Sequence, residues 1–234
     1  MGSQRGALIR WEISEGGAAL NRPARQINAH TQGLWGLAVH PNGSIAASGG
    51  DDWVVRLWDV ERGVCLREIP GFQNRVGAVA YSRNGELLAL GGFDGILVIW
   101  SGAEERITHR FTAHRQSISA VHFADDNLLV VAATDGVIST WLLERDGSAT
   151  FRHHLFGHSA WVNQICVASD RRLLISTSHD GSARLWDCLS GECLTEWQPP
   201  GPYAGTNIYG VQGVTPAQKN GLLALGAVNE SPDR

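Results

Sequence analysis

One stretch decides the fold. It runs Gly157-His158, then an apolar run from Val162 to Ala168, then Leu173-Leu174-Ile175-Ser176-Thr177-Ser178, then His179-Asp180-Gly181, then Ala183-Arg184-Leu185-Trp186-Asp187. The same order appears at His30, Leu34 to His40, Ile45 to Gly50, Asp51-Asp52 and Val55-Arg56-Leu57-Trp58-Asp59. Working outward, the Trp of the third run recurs at Trp58, Trp100, Trp141 and Trp186, with gaps of 42, 41 and 45 residues. Turn residues separate the runs at Pro41-Asn42-Gly43, Asn84-Gly85, Asp94-Gly95, Asp135-Gly136 and Asp180-Gly181. Asn-Gly and Asp-Gly suit tight hairpins, because those turns need positive φ. A fourth run follows each Trp, as in Val64-Cys65-Leu66-Arg67-Glu68-Ile69. Each unit reads as a four-stranded antiparallel meander. A period of roughly 40–45 residues built from such units is the signature of an all-β propeller.

These units resemble the WD-repeat (WD40) propeller family over residues 7–198. The Trp-Asp pair stands at Trp58-Asp59 and Trp186-Asp187 and is replaced by Trp100-Ser101 and Trp141-Leu142 in the middle units. Gly-His is intact at Gly157-His158, with Ala29-His30, Gly71-Phe72 and Ala113-His114 elsewhere. The resemblance implies a buried hydrogen-bond chain of Trp58, Ser48, His30 and Asp52 in the first unit, and of Trp186, Ser176, His158 and Asp180 in the fourth. Indole N–H only donates, carboxylate only accepts, and hydroxyl and neutral imidazole do both, so the chain satisfies each group in turn. The third unit has Val131 at the Ser place, and the second has Leu90 and Phe72. Apolar packing is expected to hold those two blades. The His–Ser–Asp sets are read as structure rather than as hydrolase triads, since a catalytic triad has no reason to recur.

The chain is expected to comprise half a blade at 1–29, with Ala7 to Ile13 as a third strand bearing Trp11 and Ala18 to Ile27 as an outer strand. Four blades follow at 30–69, 70–112, 113–156 and 157–198, then a tail at 199–234. Members of the family usually close with more blades. Three readings stand: part of a larger propeller protein, a ring completed by a second chain, or a ring closed by strands at Ile208 to Val211 and Leu222 to Leu225. The first is preferred.

In the tail, Thr215 as N-cap, Pro216 at the first helical position and Gly226 as stop predict a short helix. Gly221 weakens it by about 1 kcal/mol relative to Ala. Pro202-Tyr203, Gly205, Asn207-Ile208, Thr215 and Ala217-Gln218-Lys219 resemble the C-terminus of bacterial NACHT and NB-ARC-type signal-transducing NTPases with WD-repeat sensor ends. That resemblance implies an upstream NTPase domain. The chain itself has no phosphate-binding loop of the Gly-x4-Gly-Lys-Ser/Thr kind.

Net charge is −4 over 234 residues and no basic run appears, which argues against a nucleic-acid surface. Eighteen Arg against the single Lys219 fit a GC-rich bacterial genome. No apolar segment in the first thirty residues suggests a leader or a membrane span, so a cytoplasmic protein is expected. Cys65, Cys166, Cys188 and Cys193 read as buried reduced thiols. A strand puts His153 and His154 on opposite faces, so no metal site is expected there, and no cofactor elsewhere.

The candidate site lies among the loops entering each blade and the turns before each third strand. Trp35, Asp51, Trp53, Arg75, Phe93, Trp161 and His179 fall there. Aromatic and Arg side chains on rigid loops are the usual composition of binding hot spots. The alternative for Trp35 and Trp161 is packing between blades. The function expected is a non-catalytic scaffold that binds a protein or peptide. The competing readings are a propeller hydrolase using the central channel and an inactive fragment of a larger repeat protein.

Overall fold

The computed structural model describes residues 6–13, 19–145, 148–200 and 206–231, with side chains for 6–10 and from 26 onward. Strands β1 (Ala7–Ile13) and β2 (Ala19–Asn28) pair as a two-stranded sheet. Four antiparallel sheets of four strands follow. Blade 1 holds β3 (Leu34–Val39), β4 (Ile45–Gly50), β5 (Val55–Asp59) and β6 (Val64–Ile69). Blade 2 holds β7 (Val76–Tyr81), β8 (Leu87–Gly92), β9 (Ile96–Ser101) and β10 (Arg106–Thr112). Blade 3 holds β11 (Ile118–Phe123), β12 (Leu128–Ala133), β13 (Ile138–Leu143) and β14 (Ala149–Leu155). Blade 4 holds β15 (Val162–Val167), β16 (Leu173–Ser178), β17 (Ala183–Asp187) and β18 (Cys193–Trp197). Within each sheet the strands follow chain order, as a meander requires.

The inner strands β3, β7, β11 and β15 lie side by side in that order, and an apolar layer fills each gap between sheets. Val55, Leu57 and Ile69 meet Val76, Leu88 and Trp100 between blades 1 and 2. Leu97 and Ile99 meet Ile118, Phe123 and Leu129 between blades 2 and 3. Val130, Ile138 and Leu155 meet Val162, Leu174 and Trp186 between blades 3 and 4. β8 and β12 are therefore buried on both faces over their last five residues, which explains why they read as continuous apolar runs.

The two-stranded sheet covers part of blade 1, through Leu8, Ile27 and Ala29 against Leu34, Ala46 and Trp58. Gly6, at φ 65, accepts N–H bonds from Ala29 and His30, just as Gly95 accepts them from Ala113 and His114. The sheet thus occupies the place of a third and an outer strand. The Trp11 side chain lies outside the described residues. Leu37 and Val39 on blade 1, and Ile175 and Leu194 on blade 4, stay exposed. Among the described residues the ring is incomplete.

The hydrogen-bond chains have these dimensions. In blade 1, Trp58 Nε1 donates to Ser48 Oγ at 2.8 Å, Ser48 Oγ lies 2.7 Å from His30 Nε2, and His30 Nδ1 lies 2.7 Å from Asp52. In blade 4, the corresponding distances through Trp186, Ser176, His158 and Asp180 are 2.8, 2.7 and 2.9 Å. The donor order requires the Nδ1–H tautomer of both imidazoles. Blade 2 packs Trp100 against Leu90 and Phe72 instead.

Blade 3 corrects the expectation of purely apolar packing. Ser139 replaces the missing hydroxyl: Trp141 Nε1 donates to its Oγ at 2.8 Å, and that oxygen lies 2.7 Å from His114 Nε2. Ser139 stands two residues before Trp141, hence on the same strand face. A hydroxyl on the third strand reaches the imidazole as well as one on the second.

The ring-closing alternative loses both of its strands, and the helix expected after Thr215 is present. Leu222 to Ala224 belong to helix α1 (Pro216–Ala224), so they cannot supply a closing strand. Ile208 to Val211 form no strand; Asn207 makes an isolated bridge with Val228. The helix carries a full capping box between Thr215 and Gln218, and Gly226 follows it at φ 99. Trp197–Arg234 forms a compact unit separate from Met1–Glu196. Of the four thiols only Cys188 is buried, while Cys65 and Cys166 are exposed and Cys193 is half-buried. Cys65 sits on an outer strand, and Cys166 on the face of β15 opposite Ile165, which packs toward blade 3.

Replacing Ser176 by Ala leaves His158 Nε2 and the Trp186 indole N–H buried without partners, which costs about 1–3 kcal/mol. The midpoint of urea unfolding is expected to fall accordingly, and Ser139→Ala to behave the same way in blade 3. Burial holds the His114 pKa below its ordinary value, against the opposing Asp135 charge and Val131 carbonyl bond. A depressed imidazole stabilises fully above its unfolded pKa, so stability is expected to decline as pH falls below about 6.5. Urea titrations between about pH 7.5 and 5 should show that slope, flattened in His114→Gln.

Candidate functional site

Every inner strand starts with the same irregularity. The register slips between Leu34 and Gly36, Val76 and Ala78, Ile118 and Ala120, and Val162 and Gln164. Such a bulge leaves one residue unpaired and re-aims its side chain. The bulged residues are Trp35, Gly77, Ser119 and Asn163. Next to each bulge, a backbone bond ties the entering loop to the turn before the third strand. Asp51 N–H donates to Gly33 at 2.8 Å, Phe93 to Arg75 at 3.0 Å, Thr134 to Ser117 at 3.0 Å and His179 to Trp161 at 2.9 Å. Four equivalent pairs of positions therefore line one rim.

Blades 1 and 2 build a connected cluster on that rim. The Trp35 indole donates to Asp51 Oδ1 at 2.8 Å, and Arg75 Nε lies 3.2 Å from the same oxygen. The Arg75 guanidinium sits 5.9 Å from the centre of the Phe93 ring, and Trp35 and Phe93 approach to 6.0 Å. Gly77 makes room, since a Cβ there would stand 2.5 Å from a Phe93 ring carbon. Trp35 is 50% exposed.

Trp53 is the unusual residue. Asp51-Asp52-Trp53 aligns with Phe93-Asp94-Gly95, Thr134-Asp135-Gly136 and His179-Asp180-Gly181. The three glycines have φ of 76°, 84° and 82°, and Trp53 adopts the same left-handed backbone at 63°. A bulky side chain there costs about 1–2 kcal/mol. Close neighbours enforce two of the glycines: a Cβ at Gly95 would lie 2.0 Å from the His114 carbonyl oxygen, and one at Gly136 2.7 Å from that of His158. Blade 2 has Phe72 in place of the His. Among the described residues, no backbone bond joins 71 or 72 to the Trp53 carbonyl. A cleft of about 460 Å³ opens there, lined by Thr31, Gln32, Asp51, Asp52, Trp53, Asn74 and Arg75. Trp53 is 52% exposed.

Trp161 and His179 form a second cluster on blade 4, stacked at 5.0 Å with their planes 23° apart. Among the described residues, no hydrogen bond, ion pair or ring contact joins this pair to the Trp35 cluster. The structure thus gathers Trp35, Asp51, Arg75 and Phe93, sets Trp53 beside them across a cleft, and places Trp161 with His179 apart.

The carboxylate of Asp52 is anchored. Burial pushes its pKa up, but bonds from Arg56 and His30 outweigh this and hold it below the usual carboxylate range. Asp180 is depressed in the same way, burial being outweighed by bonds from Ser182, His158 and Ser159. Ser48 and Ser176 are fully buried, and each hydroxyl already accepts an indole N–H. Neither is placed to meet a substrate. His154 lies between Phe151 and Phe156, at 4.5 and 5.2 Å, and His153 borders a different cleft with Asp125 and Cys188. Among the described residues, no three metal-binding side chains gather.

The model of the WD domain, G-beta repeat, matches residues 21–59, 63–101, 105–141 and 149–187. The chain belongs to the WD-repeat family. Each WD repeat of the sequence begins in the outer strand of one sheet and ends at the third strand of the next. Similar proteins include the nuclear distribution protein PAC1 of Arthroderma otae, 35% identical in an alignment that covers 70% of this chain and 38% of that protein. The small ribosomal subunit protein RACK1 of Caenorhabditis elegans is 34% identical over 75% of this chain and 54% of its own length. The autophagy-related protein 16 of Arabidopsis thaliana is 27% identical over 74% of this chain and 34% of its own. The WD-repeat chain therefore spans between a third and just over half of the length of these relatives.

The backbone of Trp53 was readable in outline, because a Trp stands where three WD repeats carry Gly. Replacing Trp53 by Gly is expected to stabilise the protein by about 1 kcal/mol. Urea unfolding of the two proteins measures this, and a loss of stability would mean that the indole contributes more than its backbone strain costs.

Proposed function

We propose that this chain is a non-catalytic docking module that binds a protein or peptide on the rim bearing Trp35, Asp51, Trp53, Arg75, Phe93, Trp161 and His179. One observation carries the reading: an exposed indole is kept at Trp53 on a backbone that favours glycine. Strain of this kind persists where function requires it. The surrounding loops are fixed by repeated backbone bonds, so little ordering is lost when a partner docks. A relative named as a ribosomal subunit protein is a component of an assembly, which fits a WD-repeat surface made for contact.

The tail supports a finer context. Its capped helix at Thr215 and the Asn207 clasp, which bonds Glu230 O at 2.8 Å, fall within the segment that resembles the end of NACHT and NB-ARC-type NTPases. The Pro202-Tyr203 and Gly205 part of that match lies outside the described residues. On this reading the chain is the sensor end of a cytoplasmic signalling NTPase, and the ring is completed by blades from the same larger protein. No helix among the described residues is long and apolar enough to cross a membrane.

Random peptides displayed on phage and selected on the full chain test the docking reading. Trp35→Ala and Trp161→Ala are expected to cut capture of the selected peptides about tenfold or more, as hot-spot truncations do, with thermal stability little changed. Undiminished capture by both variants, or collapse of the fold, would sink the proposal.

A further inference from the structure

The cleft between Trp53 and Arg75 has a directional chemistry. Three of its four carboxylate oxygens are already engaged, and the fourth, Asp51 Oδ2, lies over Gly33. Asp51 Oδ1 takes the Trp35 indole N–H and faces Arg75 Nε. Asp52 Oδ1 takes the His30 Nδ1–H at 2.7 Å, and its Oδ2 takes Arg56 Nη1 at 2.7 Å and the Thr31 N–H at 3.4 Å. Arg75 meets Asp51 through Nε alone, so the other edge of a half-exposed guanidinium is left to a ligand. The Asn74 oxygen accepts the Arg75 backbone N–H at 2.9 Å, which leaves its amide nitrogen as a donor. The Trp53 indole N–H is donor-only as well. The cleft offers donors beside an aromatic face.

We infer that this cleft accepts the side chain of an Asp or Glu from an extended partner segment, with an adjacent apolar or proline residue lying on the Trp53 indole. The inference rests on the reading of this rim as the docking surface and names what it takes. A carboxylate matches the planar fork of Arg75, and charge-assisted bonds of that kind are the strong ones. A dianionic phosphate fits less well, because Asp51 and Asp52 place two negative charges beside one available guanidinium edge. A basic side chain meets a carboxylate already paired and is repelled by Arg75. Trp53 adds the apolar part, and the matching position in each other blade is a glycine with no side chain to offer.

The test begins with the sequences selected from the displayed library. Synthetic fluorescent peptides of the selected consensus then carry the acid, its amide, a lysine or a phosphoserine at the key position. The consensus is expected to hold Asp or Glu next to an aromatic or proline residue. Replacing the acid by its amide should weaken binding about tenfold or more, the size of a lost hydrogen bond to a charged group. Arg75→Gln should weaken the acidic peptide by a similar factor and leave the amide peptide unchanged. Trp53→Gly should weaken both while the urea midpoint does not fall. Equal binding of acid and amide, or tighter binding of the lysine or phosphoserine peptide, overturns the acidic specificity and leaves the rim as docking surface. Binding that ignores Arg75 and Trp53 but depends on Trp161 moves the site to blade 4 and overturns the inference. Failure to select any peptide that depends on the rim overturns both readings.

Discussion

Burial between sheets is the constraint on which the rest of this structure depends. A four-stranded meander alone exposes two apolar faces and cannot cover either. Here each gap between successive sheets holds a layer of Leu, Ile, Val and Trp side chains, and the two middle sheets are covered on both sides. At roughly 25 cal/mol per Å² of apolar surface buried, such layers supply most of the favourable free energy of folding. The end sheets show the converse. Ile175 and Leu194 on blade 4, and Leu37 and Val39 on blade 1, remain in water because no sheet among the described residues lies over them.

The hydrogen-bond chains refine this frame. Each ties a loop, a strand and a turn with groups that would be costly if left alone in an apolar interior. Blades 1 and 4 run the full chain to a carboxylate. Blade 3 keeps the indole–hydroxyl–imidazole part by moving the hydroxyl to Ser139, and blade 2 fills the space with Phe72 and Leu90. At Gly95 and Gly136 a backbone carbonyl of the next blade's entering loop leaves no room for a Cβ, whereas the same place in blade 1 holds Trp53.

The period, the turns and the strand order were legible because a half-buried strand alternates and a tight turn demands glycine or asparagine. The count of blades followed from Trp spacing alone. Ser139 falls outside the family pattern, which places the hydroxyl on the second strand, although its i, i+2 spacing to Trp141 carries the signal. The grouping of Trp35 with Asp51, Arg75 and Phe93 depends on a bulge and on the juxtaposition of two sheets, neither of which a linear pattern specifies. Leu222 to Leu225 could help close the ring only as a strand, whereas the Thr215 cap, Pro216 and the Gly226 stop mark the helix that runs through most of it.

The sequence repeat and the sheet are out of phase by one strand. The matched segments 21–59, 63–101, 105–141 and 149–187 each start in one sheet and finish in its neighbour. Every covalent unit is therefore also a clasp between two structural ones. Removing one such segment would not excise a module cleanly. It would strip the outer edge from one sheet and the three inner strands from another, so duplication and loss during evolution must re-splice partners as well as change their number. The same interlock opposes unravelling from either end, because a sheet cannot detach without surrendering a strand encoded by the adjacent repeat.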